Sequence, residues 1–235
     1  MLQKSMLRLL SVADIISILN AVFGIFAIIV LLLETLGDLE LRIHLSFSLI
    51  LLGLLADGLD GIVARKFGKS EIGEYLESMA DMTSMVVAPA VFIFIVYMDL
   101  LEEIIFRNAY LFVAIGLFLF FGIVRLASFT VMKEKKHYVG LPASASAIIL
   151  LVLSYLKVDF IYILPTVVII GALMASNIVF PKTSKKMNVV ATILIFLTII
   201  FAKSYYNFAP LLLLIGIFFY TFGGCFYVNF IRKRQ

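Results

Sequence analysis

Long runs of apolar residues constrain the fold of this chain more than any other feature of its sequence. About 20 helical residues cross the hydrocarbon core of a bilayer, so an apolar run of roughly 18 residues or more predicts a membrane-spanning helix. The composition agrees, because 63% of the residues are hydrophobic and 14% are charged, whereas a soluble domain is about half apolar and a quarter charged. We predict an all-α, polytopic membrane helix bundle with eight spans, at 12–34, 43–64, 72–98, 108–131, 141–156, 159–179, 187–202 and 208–230.

Lysine and arginine are distributed unevenly among the loops that join these spans. Alternate loops, beginning with the N-terminal segment, hold fourteen of the nineteen residues, and the opposite loops hold four. The remaining residue, Arg125, lies inside the fourth span. Since cytoplasmic loops are enriched in Lys and Arg, this bias predicts that both termini lie in the cytoplasm. The basic loop ends are expected to attract anionic membrane lipids, and they are too dispersed to indicate nucleic-acid binding.

Several other kinds of site and organisation are disfavoured. A single cysteine, Cys225, excludes an internal disulfide and gives no thiolate metal motif. The two histidines, His44 and His137, are placed in loops, which argues against a histidine metal site or a Ser–His relay. Without a linker or a convincing repeat, we predict one membrane domain over 1–235, with core spans in 12–179 and two additional spans in 187–230.

Four acidic residues lie at the ends of the second and third spans, on the predicted cytoplasmic side: Asp57, Asp60, Glu77 and Asp81. The first two are three residues apart and the last two are four apart, so each pair shares one face of its helix. Because the link between the two spans is short, the helices must be antiparallel neighbours. The two acidic pairs can therefore face one another.

Four carboxylates that converge in a low-dielectric setting cannot all stay ionised unaided. Either some of them are protonated or cations lie between them. Mg²⁺ and Mn²⁺ prefer oxygen ligands, and two such ions bridged by carboxylates would assist a displacement at phosphorus. Structural ion pairs or a proton pathway are the alternatives for acidic residues within a membrane.

Small residues accompany the acids and favour the ion site. Gly58, Gly61 and Ala64 leave little bulk along the second span, and Gly73 does the same on the third. A ligand or another backbone can approach closely at such positions. Arg65 follows directly and can bind phosphate through its planar guanidinium group.

The arrangement is D-x2-D-G-x2-A-R-x7-G-x3-E-x3-D. It resembles the signature of the CDP-alcohol phosphotransferase family, in which D-x2-D-G-x2-A-R is followed by a spacer and G-x3-D-x3-D. The departure is Glu77, which stands where the family usually has aspartate and whose longer side chain changes the reach of the carboxylate. Outlying segments resemble the branch that makes phosphatidylserine and archaetidylserine, and they carry the resemblance over nearly the whole chain: 78–90, 125–129, 140–147 and 173–182.

The resemblance implies a transfer from a CDP-linked glycerolipid to the hydroxyl of serine, with release of CMP and no covalent enzyme intermediate. It implies two divalent ions, Mg²⁺ or Mn²⁺, held by Asp57, Asp60, Glu77 and Asp81, with Asp81 as the general base. It places Asp57, Gly61, Ala64, Arg65 and Gly73 at the CDP-lipid. It also implies a homodimer in the cell membrane with the active site on the cytoplasmic side.

Two polar residues, Arg125 and Asn20, lie inside apolar spans. Arg125 is costly in a membrane unless it is paired or faces water. We interpret it as a clamp for the serine carboxylate or for donor phosphate, with a structural ion pair as the alternative. Asn20, in the first span, is more simply a helix-packing hydrogen bond.

Two other functions compete with serine transfer. Inositol phosphate or glycerol phosphate is an alternative acceptor, which would need a basic pocket beyond Arg125. A divalent-cation transporter would need carboxylates spread across the bilayer, whereas those of this chain cluster toward one face.

Overall fold

The computed structural model describes residues 6–98, 105–129, 137–202 and 207–231. Within these residues the chain is almost entirely helical. The helices are α1 (Val12–Leu32), α2 (Leu39–Phe67), α3 (Gly73–Asp81), α4 (Ala88–Tyr97), α5 (Ile105–Phe129), α6 (Ala143–Tyr155), α7 (Phe160–Met174), α8 (Lys185–Phe201), α9 (Phe208–Phe218) and α10 (Gly224–Phe226). Short 3-10 turns lie at Met6–Leu9 and Glu34–Leu36, and π-helical turns at Met82–Val87, Phe219–Gly223 and Tyr227–Ile231.

Each of the eight predicted spans contains one helical run, so the helical fold class is confirmed. Five runs are long and apolar enough to cross a membrane: Val12–Leu32, Leu39–Phe67, Gly73–Tyr97, Phe106–Ser128 and Phe208–Phe230. Helices α6, α7 and α8 are apolar but shorter. The protein is therefore a multi-pass membrane protein, while eight full crossings and the side on which the termini lie stay predictions. The end of the fourth predicted span, 130–131, lies outside the described residues.

Helix α2 is longer at both ends than the predicted 43–64. Asp38 caps its N-terminus, with the side chain accepting a hydrogen bond of 2.8 Å from the Leu41 amide. Its C-terminus is closed by Gly68, whose φ of 88° favours glycine. The placement of His44 in a loop is therefore wrong, because His44 lies within this helix and its Nδ1 is 3.1 Å from the Tyr155 hydroxyl.

The third span is one continuous helix with a change of pitch in the middle. Between α3 and α4 the turns of Met82–Val87 are π-helical, a widening that is often found at functional sites. Small residues let neighbouring helices approach this segment closely. A Cβ added to Gly24 of α1 would lie 2.8 Å from the Ser84 Cα, and one added to Gly122 of α5 would lie 2.5 Å from the Val86 Cγ1.

A short antiparallel ribbon, absent from the all-α prediction, joins two distant parts of the chain. Strand β1 (His137–Val139) pairs with β2 (Val179–Pro181), with Tyr138 opposite Phe180. Gly140 follows β1 with a φ of 76°, and its amide donates to the Ile178 carbonyl over 2.8 Å. A Cβ at Gly140 would lie 2.2 Å from the Met174 carbonyl oxygen, so only glycine fits there. The ribbon is thus fixed against the end of α7.

Candidate active site

Three of the four predicted carboxylates line one cavity of about 120 Å³. Asp57 comes from α2, and Glu77 and Asp81 come from α3, as the antiparallel arrangement of the two spans predicts. The carboxyl groups of Asp57 and Asp81 lie within hydrogen-bonding reach of each other. Two carboxylates this close repel, so a proton or a cation must lie between them.

Asp60 is held at the junction of α2 with α1. Its side chain accepts a hydrogen bond of 2.5 Å from the Ser17 hydroxyl. Both residues are buried, with Asp60 4% exposed and Ser17 also 4%. Asp60 therefore lies beside the cavity and faces α1, and Ser17 is a partner that the sequence analysis did not identify.

Glu77 forms an ion pair with Lys69, which precedes α3. Burial works against the charge of Lys69, but the hydrogen bond and negative charge of Glu77 outweigh it, and the pKa of Lys69 lies above its ordinary value. Lys69 thus remains a cation and compensates part of the acidic charge. In the sequence, Lys69 is distinguished only as one of the basic loop residues.

Asn20 of α1 contributes to the same cluster from a third helix. It is 0% exposed, and its Nδ2 donates a hydrogen bond of 3.2 Å to Asp81 Oδ1. Among the described residues, none donates to Asn20 Oδ1. The interhelical hydrogen bond expected of Asn20 therefore exists, and its partner is the carboxylate predicted as the base. A buried amide oxygen without a partner is one that a ligand can satisfy.

The donor set fits a hard divalent cation, since carboxylate oxygens and an amide oxygen are the ligands that such ions prefer. Asp57 and Asp81 are adjacent, and Asn20, whose Nδ2 contacts Asp81, directs its Oδ1 toward Gly53 of α2. In the described part of the chain, no three His, Cys, Asp or Glu side chains stand close enough together to hold one ion as they are arranged. In this arrangement Asp60 accepts a hydrogen bond from Ser17, and Glu77 forms an ion pair with Lys69.

Besides Asp57, the residues predicted to line a CDP-lipid, together with the nearby Gly58, occupy three different settings. A Cβ added to Gly58 or Gly61 would meet nothing within 4 Å, so both glycines of α2 face open space. Ala64 is 9% exposed, whereas Arg65 is exposed and lies outside the lining of the cavity. A Cβ at Gly73 would lie 2.9 Å from Asp14 Oδ1, so this glycine allows α3 to pack closely on α1.

Arg125 lies on the wall of the cavity across from the acidic helices. It is 9% exposed, and its Nε donates to the Leu141 carbonyl over 3.4 Å. Tyr138 of the ribbon and Ser144 of α6 line the cavity with it. Burial and the negative charge of Asp57 raise the pKa of Tyr138, so its hydroxyl stays protonated and can donate. No signal in the sequence singled out Tyr138, because it lies outside the acidic motif.

The sequence profile of the CDP-alcohol phosphatidyltransferase family matches residues 10–222. A CDP-diacylglycerol–serine O-phosphatidyltransferase of Methanocaldococcus jannaschii is 31% identical over 183 residues, which cover 77% of this chain and 79% of the relative. An archaetidylserine synthase of Methanothermobacter thermautotrophicus is 31% identical over 188 residues, covering 76% and 73%. A CDP-diacylglycerol–serine O-phosphatidyltransferase of Helicobacter pylori is 29% identical over 175 residues, covering 66% and 69%.

Proposed function

This chain belongs to the CDP-alcohol phosphatidyltransferase family, and from that premise we propose that it transfers a phosphatidyl-type group, diacyl or diether, from a CDP-linked glycerolipid to the hydroxyl of L-serine. The observation that carries the proposal is the pair of adjacent carboxyls, Asp57 and Asp81, in a cavity that Glu77 and Arg125 also line. The carboxylates suit the divalent cations that a diphosphate donor needs, and the guanidinium of Arg125 suits the carboxylate of a small zwitterionic acceptor.

Serine as the acceptor is supported by the relatives, two of which are named for serine transfer and one for archaetidylserine synthesis. Serine carries a carboxylate, which the guanidinium of Arg125 can bind. Inositol phosphate and glycerol phosphate would bring an additional phosphate, whereas Arg125 is the one lysine or arginine among the described residues that line the cavity. Serine, whose carboxylate needs one cationic partner, therefore suits this lining better.

We infer that Asp57, Asp60, Glu77 and Asp81 would hold two divalent ions, Mg²⁺ or Mn²⁺. Bound there, the ions would neutralise the charge of the donor diphosphate and of the oxygens that develop charge at phosphorus. For the ions to bind, Glu77 would have to release Lys69, and Asp60 would have to release Ser17. Lys69 then stays beside the diphosphate as a further positive charge.

In the proposed reaction, Asp81 takes the proton from the serine hydroxyl. The serine oxygen forms a bond to the lipid-side phosphorus, and the bond from that phosphorus to the CMP oxygen breaks, so that CMP leaves with the electron pair. Asn20 holds Asp81 through the Nδ2 hydrogen bond and fixes the orientation of the base. Gly58 and Gly61 leave open space in which the nucleotide can approach α2.

The enzyme would act in the cell membrane, as a homodimer, with the cavity at the cytoplasmic side. The charge bias of the loops supports the orientation. A water-soluble acceptor such as serine would then enter from the cytoplasm, while the CDP-lipid arrives from the inner leaflet.

An acceptor screen tests the proposal. Purified protein in lipid nanodiscs is given a CDP-diacylglycerol or CDP-archaeol donor, Mg²⁺ or Mn²⁺, and one of three acceptors: serine, glycerol phosphate or inositol phosphate. CMP release is followed with each acceptor, and we expect release with serine only. Release with a phosphorylated acceptor but not with serine would reject the acceptor, and no release with any of them would reject the transferase function.

A further inference from the structure

The side chain of Tyr138 enters the cavity from the ribbon, outside the acidic motif. Tyr138 is the central residue of β1, and its ring lies under Lys182, whose Nζ is 5.3 Å from the ring centroid. Its strand partner Phe180 is 2% exposed, so the opposite position of the ribbon is anchored in the core. The tyrosine is therefore held at a defined place in the wall of the cavity.

The cavity has two chemically different walls. Carboxylates from α2 and α3 form one wall, and hydrogen-bond donors from α5, β1 and α6 form the other, namely Arg125, Tyr138 and Ser144. A guanidinium and a phenol hydroxyl side by side form an arrangement that binds an anionic oxygen group, since hydrogen bonds to charged groups are the stronger ones. The raised pKa of Tyr138 agrees with a hydroxyl that stays a donor.

The helical run that ends the described chain holds β2 at both of its ends. The Tyr220 hydroxyl donates to the Pro181 carbonyl over 2.5 Å. Asn229 Nδ2 donates to the Val179 carbonyl over 2.8 Å. Between these two bonds, Gly224 lies against the Pro181 ring so closely that a Cβ would be 2.5 Å from its Cγ. These three contacts fix Val179 and Pro181, which lie on either side of Phe180, the strand partner of Tyr138.

We propose that Tyr138 contacts the substrate, binding an anionic oxygen group together with Arg125, and that Tyr220 and Asn229 are positioning residues that hold Tyr138 in place through β2. The proposal rests on the proposed transferase function, and it adds a substrate contact and a role for the C-terminal helices. Two substrate groups have the required chemistry: the carboxylate of the acceptor and a phosphate of the donor lipid.

The substitution Tyr138→Phe removes the hydroxyl and keeps the ring over which Lys182 lies. We expect a rise of about tenfold or more in the KM of one substrate, with a smaller change in kcat, because a hydrogen bond to a charged group is stronger than one between neutral groups. A rise confined to serine identifies the acceptor carboxylate, and a rise confined to the CDP-lipid identifies a donor phosphate. An unchanged KM for both substrates overturns the proposal.

Serinamide provides an independent readout of the carboxylate, because it keeps the hydroxyl and lacks the anionic group. If Tyr138 binds the acceptor carboxylate, the preference of the enzyme for serine over serinamide falls in Tyr138→Phe by the same factor as the serine KM rises. If Tyr138 binds a donor phosphate, this preference is unchanged while the CDP-lipid KM rises. A loss of kcat alone, with both KM values and the preference unchanged, contradicts substrate binding by the hydroxyl.

The positioning role is tested with Tyr220→Phe and with the double variant Tyr138→Phe/Tyr220→Phe. Tyr220→Phe is expected to raise the KM of the same substrate, and the double variant is expected to be no worse than Tyr138→Phe, since Tyr220 acts through Tyr138. Tyr227→Phe is the matched control, because Tyr227 belongs to the same helical run and is 56% exposed. Additive effects in the double variant, or a KM shift as large in Tyr227→Phe, overturn the positioning role.

The wild-type enzyme separates a failure of this proposal from a failure of the proposed function. If the wild type releases no CMP from a CDP-lipid with any acceptor, the transferase function is wrong. If the wild type is active and Tyr138→Phe has wild-type KM values, the function stands and the role of Tyr138 is wrong. Equal thermal midpoints of wild type and variants, measured by size-exclusion chromatography after heating, show that the comparison is between folded proteins.

Discussion

Asp81 lies where three helices meet: α1 supplies Asn20, α2 supplies Asp57, and Asp81 itself ends α3. The proposed chemistry accounts for three polar groups that lie next to one another at this junction. The substitution Asp81→Asn keeps the size of the side chain and removes its ability to accept a proton. We expect at least about a hundredfold loss of CMP release, as for the removal of a general base, with an unchanged thermal midpoint. Activity near that of the wild type would remove Asp81 from this role.

Glu77 is the residue at which the acidic motif departs from the family signature. Its side chain, one methylene longer than aspartate, forms an ion pair with Lys69. Glu77→Asp keeps the charge and shortens the reach, so we expect reduced but measurable CMP release and a higher Mg²⁺ or Mn²⁺ requirement. Glu77→Gln keeps the reach and removes the charge, and we expect little or no release. The two variants are compared in titrations of each metal, and greater activity in Glu77→Gln than in Glu77→Asp would contradict a metal-binding role.

The residues of the candidate site could be predicted from the sequence to the extent that they share a motif. The spacing of Asp57, Glu77 and Asp81 was sufficient to place them in one cavity, because helical periodicity and a short link fix which faces meet. Ser17 and Tyr138 could not be found in this way. Their approach depends on tertiary packing between segments far apart in sequence, and a serine or a tyrosine in an apolar context carries no distinctive signal.

Helix α1 fits against the third span only because Gly24 has no side chain at its contact with Ser84. The substitution Gly24→Val would push α1 away from the backbone of Ser84 and displace Ser17 and Asn20 from the acids. We expect a destabilisation of about 1–3 kcal/mol, typical of an overpacked contact, together with a loss of CMP release.

The matched control for Gly24→Val is Gly116→Val, since a Cβ at Gly116 of α5 would meet nothing within 4 Å. This variant should keep both its activity and its thermal midpoint. The measurement is the midpoint of loss of the monodisperse peak on heating, alongside CMP release. If Gly24→Val matched Gly116→Val in both measurements, close packing of α1 would not be important for the site.

At the scale of elements, apolar runs predicted where helices occur but not where they end. Helix α2 continues past its apolar part because Asp38 caps its start and Gly68 closes its end, and these signals are independent of hydropathy. The π-helical turns at Met82–Val87 pack against Gly24 and Gly122, and single-sequence periodicity reveals neither the turns nor these contacts. The ribbon was missed because its strands are three residues each and lie 40 positions apart.

For the whole molecule, the charge bias of the loops predicts that both termini and the acidic cavity face the cytoplasm. A C-terminal fusion to green fluorescent protein should therefore be fluorescent in bacterial cells, and a fusion to alkaline phosphatase at the same position should be inactive.

The side on which the acidic cavity lies is tested with the substitution Ser70→Cys, in the link between α2 and α3. The new thiol should be blocked by a thiol reagent only after the membrane is made permeable. The protein that carries this new cysteine also carries Cys225→Ala, so that its own thiol does not react. Labelling of intact cells at position 70 would reverse the orientation.

Helix α6 has 13 residues, of which ten are buried. At 1.5 Å per residue it is about 20 Å long, roughly 10 Å less than the hydrocarbon thickness of a bilayer. Because other helices enclose it, its shortness need not distort the surrounding lipid. Its first residues, Ala143 and Ser144, line the cavity, so this short, enclosed helix begins at the cavity wall. If the proposed CDP-lipid binds at this wall, its headgroup enters the helix bundle beside α6 while its tails stay in the leaflet.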